Sequence, residues 1–208
     1  MTSKLIVNSI RHTGASADAI TMDASGNVTF PANATCSGTA TGFGVEGITM
    51  VDVWDLNGVI GMGNDTTTTL TAKWTRANDY NGVIGSAMTV DNSTGIFTFP
   101  STGIYNIMFH LSLYNNSGNA GDYAYGRILA TTNNSNYAIR ATGAQNSIGG
   151  SSYVYQNMRC NYIMDVTDTS THKVYFTARH DQPATINGDA SADSHLHTYV
   201  NFMRLGDT

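Results

Sequence analysis

"GIFTFPSTGIYNIMFHLSLY", Gly95 to Tyr114, is the stretch whose reading decides the fold. Its two runs, Phe97-x-Phe99 and Tyr105 to Leu113, alternate with a period of two, the spacing of a strand whose side chains point to opposite faces. One face of the second run is Tyr105, Ile107, Phe109, Leu111 and Leu113, wholly apolar. The other is mixed: Ile104, Asn106, Met108, His110, Ser112 and Tyr114. Between the runs lies Pro-Ser-Thr-Gly, in which Pro100 fixes φ and Gly103 is free to turn the chain sharply. The pattern predicts a buried antiparallel pair of strands.

The rest of the composition agrees with an all-β chain. Of 208 residues only 12% are charged, while Gly (21), Thr, Asn and Ser are abundant. Those residues are poor in helix interiors and good in turns. Lys+Arg 10 against Asp+Glu 15 gives a net charge of −5, without a basic cluster. Binding nucleic acid through phosphates needs clustered positive charge, so that class is excluded. No apolar run approaches the roughly 18 residues needed to cross a bilayer, and membrane insertion is not expected. The opening "MTSKLIVNSIRH" lacks a signal-peptide apolar core, which predicts synthesis and folding in a cytosol. Cys36 and Cys160 are far apart, lack metal-ligand spacing, and are expected to be idle thiols.

Residues 1–47 and 48–208 read as different units. In the first, "SKLIVNSI" is a short strand and "AITMDASGNVTF" a hairpin turning at Ser25-Gly26-Asn27. The small, polar "PANATCSGTATGFG" that follows is a linker or thin shaft. From Ile48 the strand signals are dense: "ITMVDVWDLNG", "AKWTRANDYNG", "MTV" with "IFTF", "IYNIMFHLSLY", "YAYGRILAT", "NYAIRAT", "SYVYQNMRCNYIMDV", "HKVYFTAR" and "HTYVNFMRL". NGVIG occurs at Asn57–Gly61 and Asn81–Gly85, read as two similar turns. No segment has capped helical periodicity, and so many strands between turn clusters predict a jelly-roll sandwich. Several strands are apolar on both faces, which predicts that a second copy covers one of them.

"VDNSTGIFTFPSTGIYNIMFHLSLYNN" resembles the central signature of the complement C-one-q/tumour necrosis factor-like family of trimeric jelly rolls. Gly95, Phe97, Pro100, Gly103 and Tyr105 match its Gly-x-Phe-x-x-Pro-x-x-Gly-x-Tyr run, with Ile107 at the next aromatic position and Phe109 two residues on. "HTYVNFMRLGD" is similar to the family's closing strand, without its usual Ser-x-Phe-x-Gly start. The resemblance covers about residues 48–208 and implies a homotrimeric head. "SKLIVNSI…GNVTF" is similar to the openings of bacteriophage tail-fibre and appendage proteins. Together the two resemblances imply a virion protein. Residues 1–47 would then join it to other virion proteins, and residues 48–208 would form a head that attaches to host-surface glycan or protein. The same resemblances leave open a capsid-decorating head fibre or a glycan-cleaving fibre tip.

Candidate chemistry is sparse. Gly-x-Ser-x-Gly, His-Glu-x-x-His and a phosphate loop are all missing, and Glu46 is the only glutamate. A glycosidase would need two of Asp52, Asp55, Asp91, Asp181, Asp189 and Asp193 brought together by the fold. A non-enzymatic role is expected. His195-x-His197 puts two imidazoles about 7 Å apart on one strand face, and three copies at an axis would offer six nitrogens to a transition metal. Asp189 and Asp193 are oxygen ligands suited to calcium. No cofactor is expected beyond such a structural ion; the other reading is a plain polar loop-to-strand junction. Tyr123, Tyr125, Tyr137, Tyr153 and Tyr155 cluster in or beside the loop-rich stretch 115–157 and are candidate receptor contacts, flat apolar bodies with polar tips. Their other reading is solvated turns together with tyrosine at the trimer interface.

Overall fold

A computed structural model describes residues 7–30, 48–76, 82–115, 123–146, 153–188 and 196–208. The chain divides into two compact units, Met1–Gly44 and Val45–Thr208. In the first, β1 (Ser9–Ile10), β2 (Ile20–Met22) and β3 (Val28–Thr29) form a three-stranded antiparallel sheet. The expected β2–β3 hairpin is present, with Met22 opposite Val28. Asp23 holds its turn by accepting from the backbone N–H groups of Ser25 and Asn27, and Gly26 takes a positive φ of 85°. Cys36 lies outside the described residues.

Among its described residues the second unit holds thirteen strands. They are β4 (Met50–Leu56), β5 (Ile60–Met62), β6 (Thr66–Thr69), β7 (Trp74–Thr75), β8 (Thr89–Asp91), β9 (Ile96–Thr98) and β10 (Gly103–Asn115), then β11 (Ala124–Thr131), β12 (Ala138–Gln145), β13 (Val154–Val166), β14 (Lys173–His180), β15 (Ala184–Ile186) and β16 (Tyr199–Gly206). They make two sheets. The first runs β7-β4-β16-β10, with β13 along the other side of β10 and β15-β5 continuing from its far end. The second runs β12-β11-β14-β9-β8, with β6 also on β14. All pairings are antiparallel, and β10 pairs with β13 along its full thirteen residues, Gly103 opposite Val166 and Asn115 opposite Val154.

Between the sheets lies one aromatic core. Phe97 from the second sheet touches Trp54, Trp74, Phe176 and Phe202, with ring centroids 5.1–5.7 Å apart. The expected apolar face of β10 is fully inside it: Tyr105, Ile107, Phe109, Leu111 and Leu113 are all buried. Burial of each such large side chain contributes about 1.5–3 kcal/mol relative to leaving it in water.

One expectation is corrected. Phe97-x-Phe99 and the Tyr105–Leu113 run do not pair as neighbouring strands: β9 belongs to the second sheet and β10 to the first. The Pro-Ser-Thr-Gly segment is an arch that carries the chain across the sandwich, so Phe99 and Tyr105 pack on each other from opposite sheets, centroids 4.8 Å apart with the rings tilted at 58°. Pro100 has no N–H to give a hairpin ladder. Gly103 takes φ 142°, where an added Cβ would lie 2.6 Å from the Gly206 carbonyl oxygen. The two NGVIG copies also differ: the first leads into β5, whereas in the second Ile84 makes an isolated bridge to Val51. Strands β5, β6 and β15 were not expected, because three or four residues give too little alternation to detect.

Candidate functional site

Each sheet has an outward face, and the two are chemically different. On the first sheet, hydrogen-bond register lines up Ile163, Asn106, Met203 and Val51 across four strands, and beside them Asn161, Met108, Asn201 and Val53. The next row is Arg159, His110, Tyr199 and Asp55. Ile163 is 54% exposed, and Ile84, bridged to Val51, is 50% exposed. This is an apolar band crossed by amides, with a row at its edge that carries both Arg159 and Asp55.

His110 sits half-buried in that face. Its ring stacks on Tyr199, centroids 5.0 Å apart, and its Nδ1 accepts from Arg159 Nε at 3.0 Å. Burial lowers its pKa below the ordinary imidazole value, and the positive charges of Arg159 and His197 lower it further. It is therefore held as the neutral acceptor that Arg159 requires. At the far end of the same face, Tyr114 packs on Tyr155 and Tyr153, centroids 5.7 and 5.9 Å apart.

The outward face of the second sheet carries a file of four side chains. Arg179 lies over the Tyr123 ring (5.7 Å), Tyr123 stacks on Tyr125 (4.9 Å), and Arg127 lies over Tyr125 (5.0 Å). Cation–ring contacts of this kind are worth about 0.5–1 kcal/mol at exposed sites. Asp65 anchors one end: it accepts from the Tyr123 hydroxyl and from Arg179 Nε and one terminal guanidinium nitrogen, at 3.2 and 2.7 Å. The Tyr123 hydroxyl, then Arg179, hold the Asp65 carboxyl below the usual carboxylate range; Asp65 in turn raises the pKa of Tyr123. Asp65 adopts φ 50°, a left-handed conformation that aspartate tolerates better than most residues.

The five candidate tyrosines therefore do not form one patch. Tyr123 and Tyr125 stack together on the second sheet, and Tyr153 and Tyr155 flank Tyr114 on the first. Tyr137 packs edge-on against Tyr175 instead, centroids 4.9 Å apart. Of the candidate ion ligands, His197 is described, and Asp189, Asp193 and His195 lie outside the described residues. Among the described residues no group of three or more His, Cys, Asp or Glu could hold a metal ion. Asp52, a candidate carboxylate, points into the protein: it is fully buried, takes two bonds of 3.0 Å from Arg76, one from Trp54 Nε1 and one from the Met88 N–H. Its neighbour Asp55 is on the opposite side of β4, and Asp91 accepts from Ser93 in the β8–β9 turn.

Two of these groupings escaped sequence reasoning. Asp52 shares the period-two face of Met50, Trp54 and Leu56, and a carboxylate on an apolar face signals a buried cationic partner. Nothing local marked Asp65 and Arg179, which are 114 residues apart.

Comparison with known proteins settles the architecture. The chain superimposes on the Eiger TNF of S. frugiperda with a TM-score of 0.54 and 12% identity, covering 77% of this chain and 95% of that one. Murine APRIL superimposes with a TM-score of 0.51 and 10% identity, covering 75% and 98%. The fold is a tumour necrosis factor-like jelly roll. At these identities the likeness is one of fold alone. No family model matches the sequence, and no curated protein matches it.

Proposed function

We propose that this protein is a structural component of a bacteriophage virion, a homotrimeric fibre or tail appendage whose jelly-roll head attaches the particle to a host surface, without chemical turnover. The observation that carries this reading is the contrast between the two outward faces. The first sheet offers a band of Ile163, Met203, Val51 and Val53 that a second copy would cover, as burial of apolar area favours. The second keeps a tyrosine–arginine file outward, side chains that recur where proteins contact sugars and other proteins. The β1–β3 hairpin unit and the linker after it serve as the attachment to other virion proteins. Three heads on one fibre would convert weak single contacts into avidity.

The test has two parts. Light scattering on the full chain should give the mass of three copies. Antibody against the head should label purified particles, and labelled protein should adsorb to host cells, with Tyr123→Ala and Tyr125→Ala adsorbing less while still trimeric. A stable single-chain species, or unlabelled particles, would overturn the reading.

A further inference from the structure

The file Arg179–Tyr123–Tyr125–Arg127 is closed by an anion at one end and open at the other. Asp65 neutralises Arg179. Among the described residues Arg127 has no carboxylate within ion-pair distance, and its Nε is buried without a hydrogen-bond partner. A buried N–H with no acceptor is costly and uncommon in native proteins, and a charged one more so. Tyr125 turns its ring to the guanidinium and so holds the cation in place, but a ring offers no lone pair to the N–H.

The surroundings define what fits. Arg127 is directly opposite Thr142 on β12, which is exposed, and opposite Thr177 on β14, which is buried. Tyr125, one step along, is opposite Arg179. The open end thus combines a guanidinium that lacks a carboxylate partner with one exposed hydroxyl, that of Thr142. The terminal nitrogens of Arg127, which unlike its Nε are not enclosed, match a carboxylate through two parallel N–H···O bonds, and the Thr142 hydroxyl suits a polyhydroxylated ring. The protein's net charge of −5 supplies no broad attraction for anions, so recognition here is short-range.

We infer that Arg127, with Tyr125 and Thr142, forms a subsite for the carboxylate of an acidic saccharide. This rests on the head being a surface-binding module and assigns the chemical class of its ligand.

The test uses the full chain labelled with 15N and three probes. They are a tetrasaccharide of alternating glucuronic acid and N-acetylglucosamine, its methyl ester, and a triglutamate peptide. The acidic tetrasaccharide should shift the amide signals of β11 and β12, and binding should weaken about tenfold or more for the ester and for Arg127→Gln, the scale expected when one charge-assisted pair is lost. Arg127→Lys, which keeps the charge but not the fork, should fall between. Equal binding of acid and ester overturns the inference even if Arg127→Gln does not fold. So does tighter binding of triglutamate, or no binding of any probe, as expected if water alone satisfies the guanidinium. If Arg127→Gln adsorbs to host cells as the parent does, this subsite is rejected while the adhesion reading stands.

Discussion

Arg76 closes on Asp52 through two parallel hydrogen bonds of 3.0 Å, with its guanidinium 4.1 Å from the centre of the Trp54 ring. The same carboxylate takes the Met88 N–H at 2.8 Å, so one buried anion ties β4 to the segment that precedes β8. Asp52→Ala leaves the Arg76 cation, the Trp54 N–H and the Met88 N–H without their acceptor. Removal of one partner of such a buried pair costs about 3–5 kcal/mol; with Arg76 one-third exposed, the lower end is expected. Urea unfolding of Asp52→Ala against the parent measures it, and a loss below about 1 kcal/mol would mean that water replaces the carboxylate.

Gly95 tests the family-like signature directly. Its φ is +74°, and a Cβ there would lie 2.3 Å from the Leu70 carbonyl oxygen. Gly95→Ala should destabilise the head by more than about 1 kcal/mol, through left-handed strain and displacement of Leu70. Phe97→Ala, which vacates the centre of the aromatic cluster, should cost about 3–5 kcal/mol. Denaturation midpoints of both variants decide the matter.

His110 predicts an acid-sensitive component of stability. Its folded-state pKa lies below the ordinary value of 6.5, through burial first and then the charges of Arg159 and His197. As pH falls through about 6.5, the unfolded chain binds a proton that the folded chain refuses, so stability is present above that pH and declines below it. The decline ends once pH has passed the folded value. Arg159 on β13, His197, Tyr199 on β16 and Asp55 on β4 are the titratable or charged groups near this row. His110→Gln should show less loss of stability between pH 7.5 and 5.5 than the parent, measured by urea midpoints at each pH.

Self-association through the first sheet makes a separate forecast. Met203→Lys places an ammonium in the middle of the apolar band, and Ile163→Lys places one at its β13 end. Either change should shift the sedimenting species toward a single chain and weaken association about tenfold or more, since an apolar contact is lost and a charge is desolvated. An equal change at Thr142, on the other sheet, should leave the mass unaltered.

Cys160 should behave as a silent thiol. It is buried, its thiol is pushed up to about 11 chiefly by burial, and its Sγ makes a weak 3.6 Å contact to the Gly126 carbonyl. The thiolate is the reactive form, so with Cys36→Ser in place the native protein should not react with a thiol reagent at pH 8 and should release one thiol on unfolding.

How much of this was legible in the sequence depends on the length of each signal. The thirteen residues of β10 and of β13 alternate long enough to announce both the strand and its buried side. Which sheet a strand enters is a different matter. Pro100 and Gly103 mark a reversal equally well for a hairpin or for an arch, and only the tertiary packing of Phe99 on Tyr105 distinguishes them. The Tyr123–Tyr125 pair was visible as a local alternation. Its anchoring by Asp65 was not, because Asp65 stands just before a four-threonine strand with no apolar periodicity and is far in sequence from Tyr123 and Arg179.

Strand β16 lies between β4 and β10, so that Met50 pairs with Arg204 and Tyr105 with that same residue from the other side. A ribosome must therefore deliver the chain past residue 206 before the first sheet has a middle. Until then β4 and β10 expose bare edges inviting promiscuous pairing. Nascent heads on one polysome are at risk of swapping this strand with one another, and loss of the last ten residues would be expected to yield insoluble material and not a smaller soluble head.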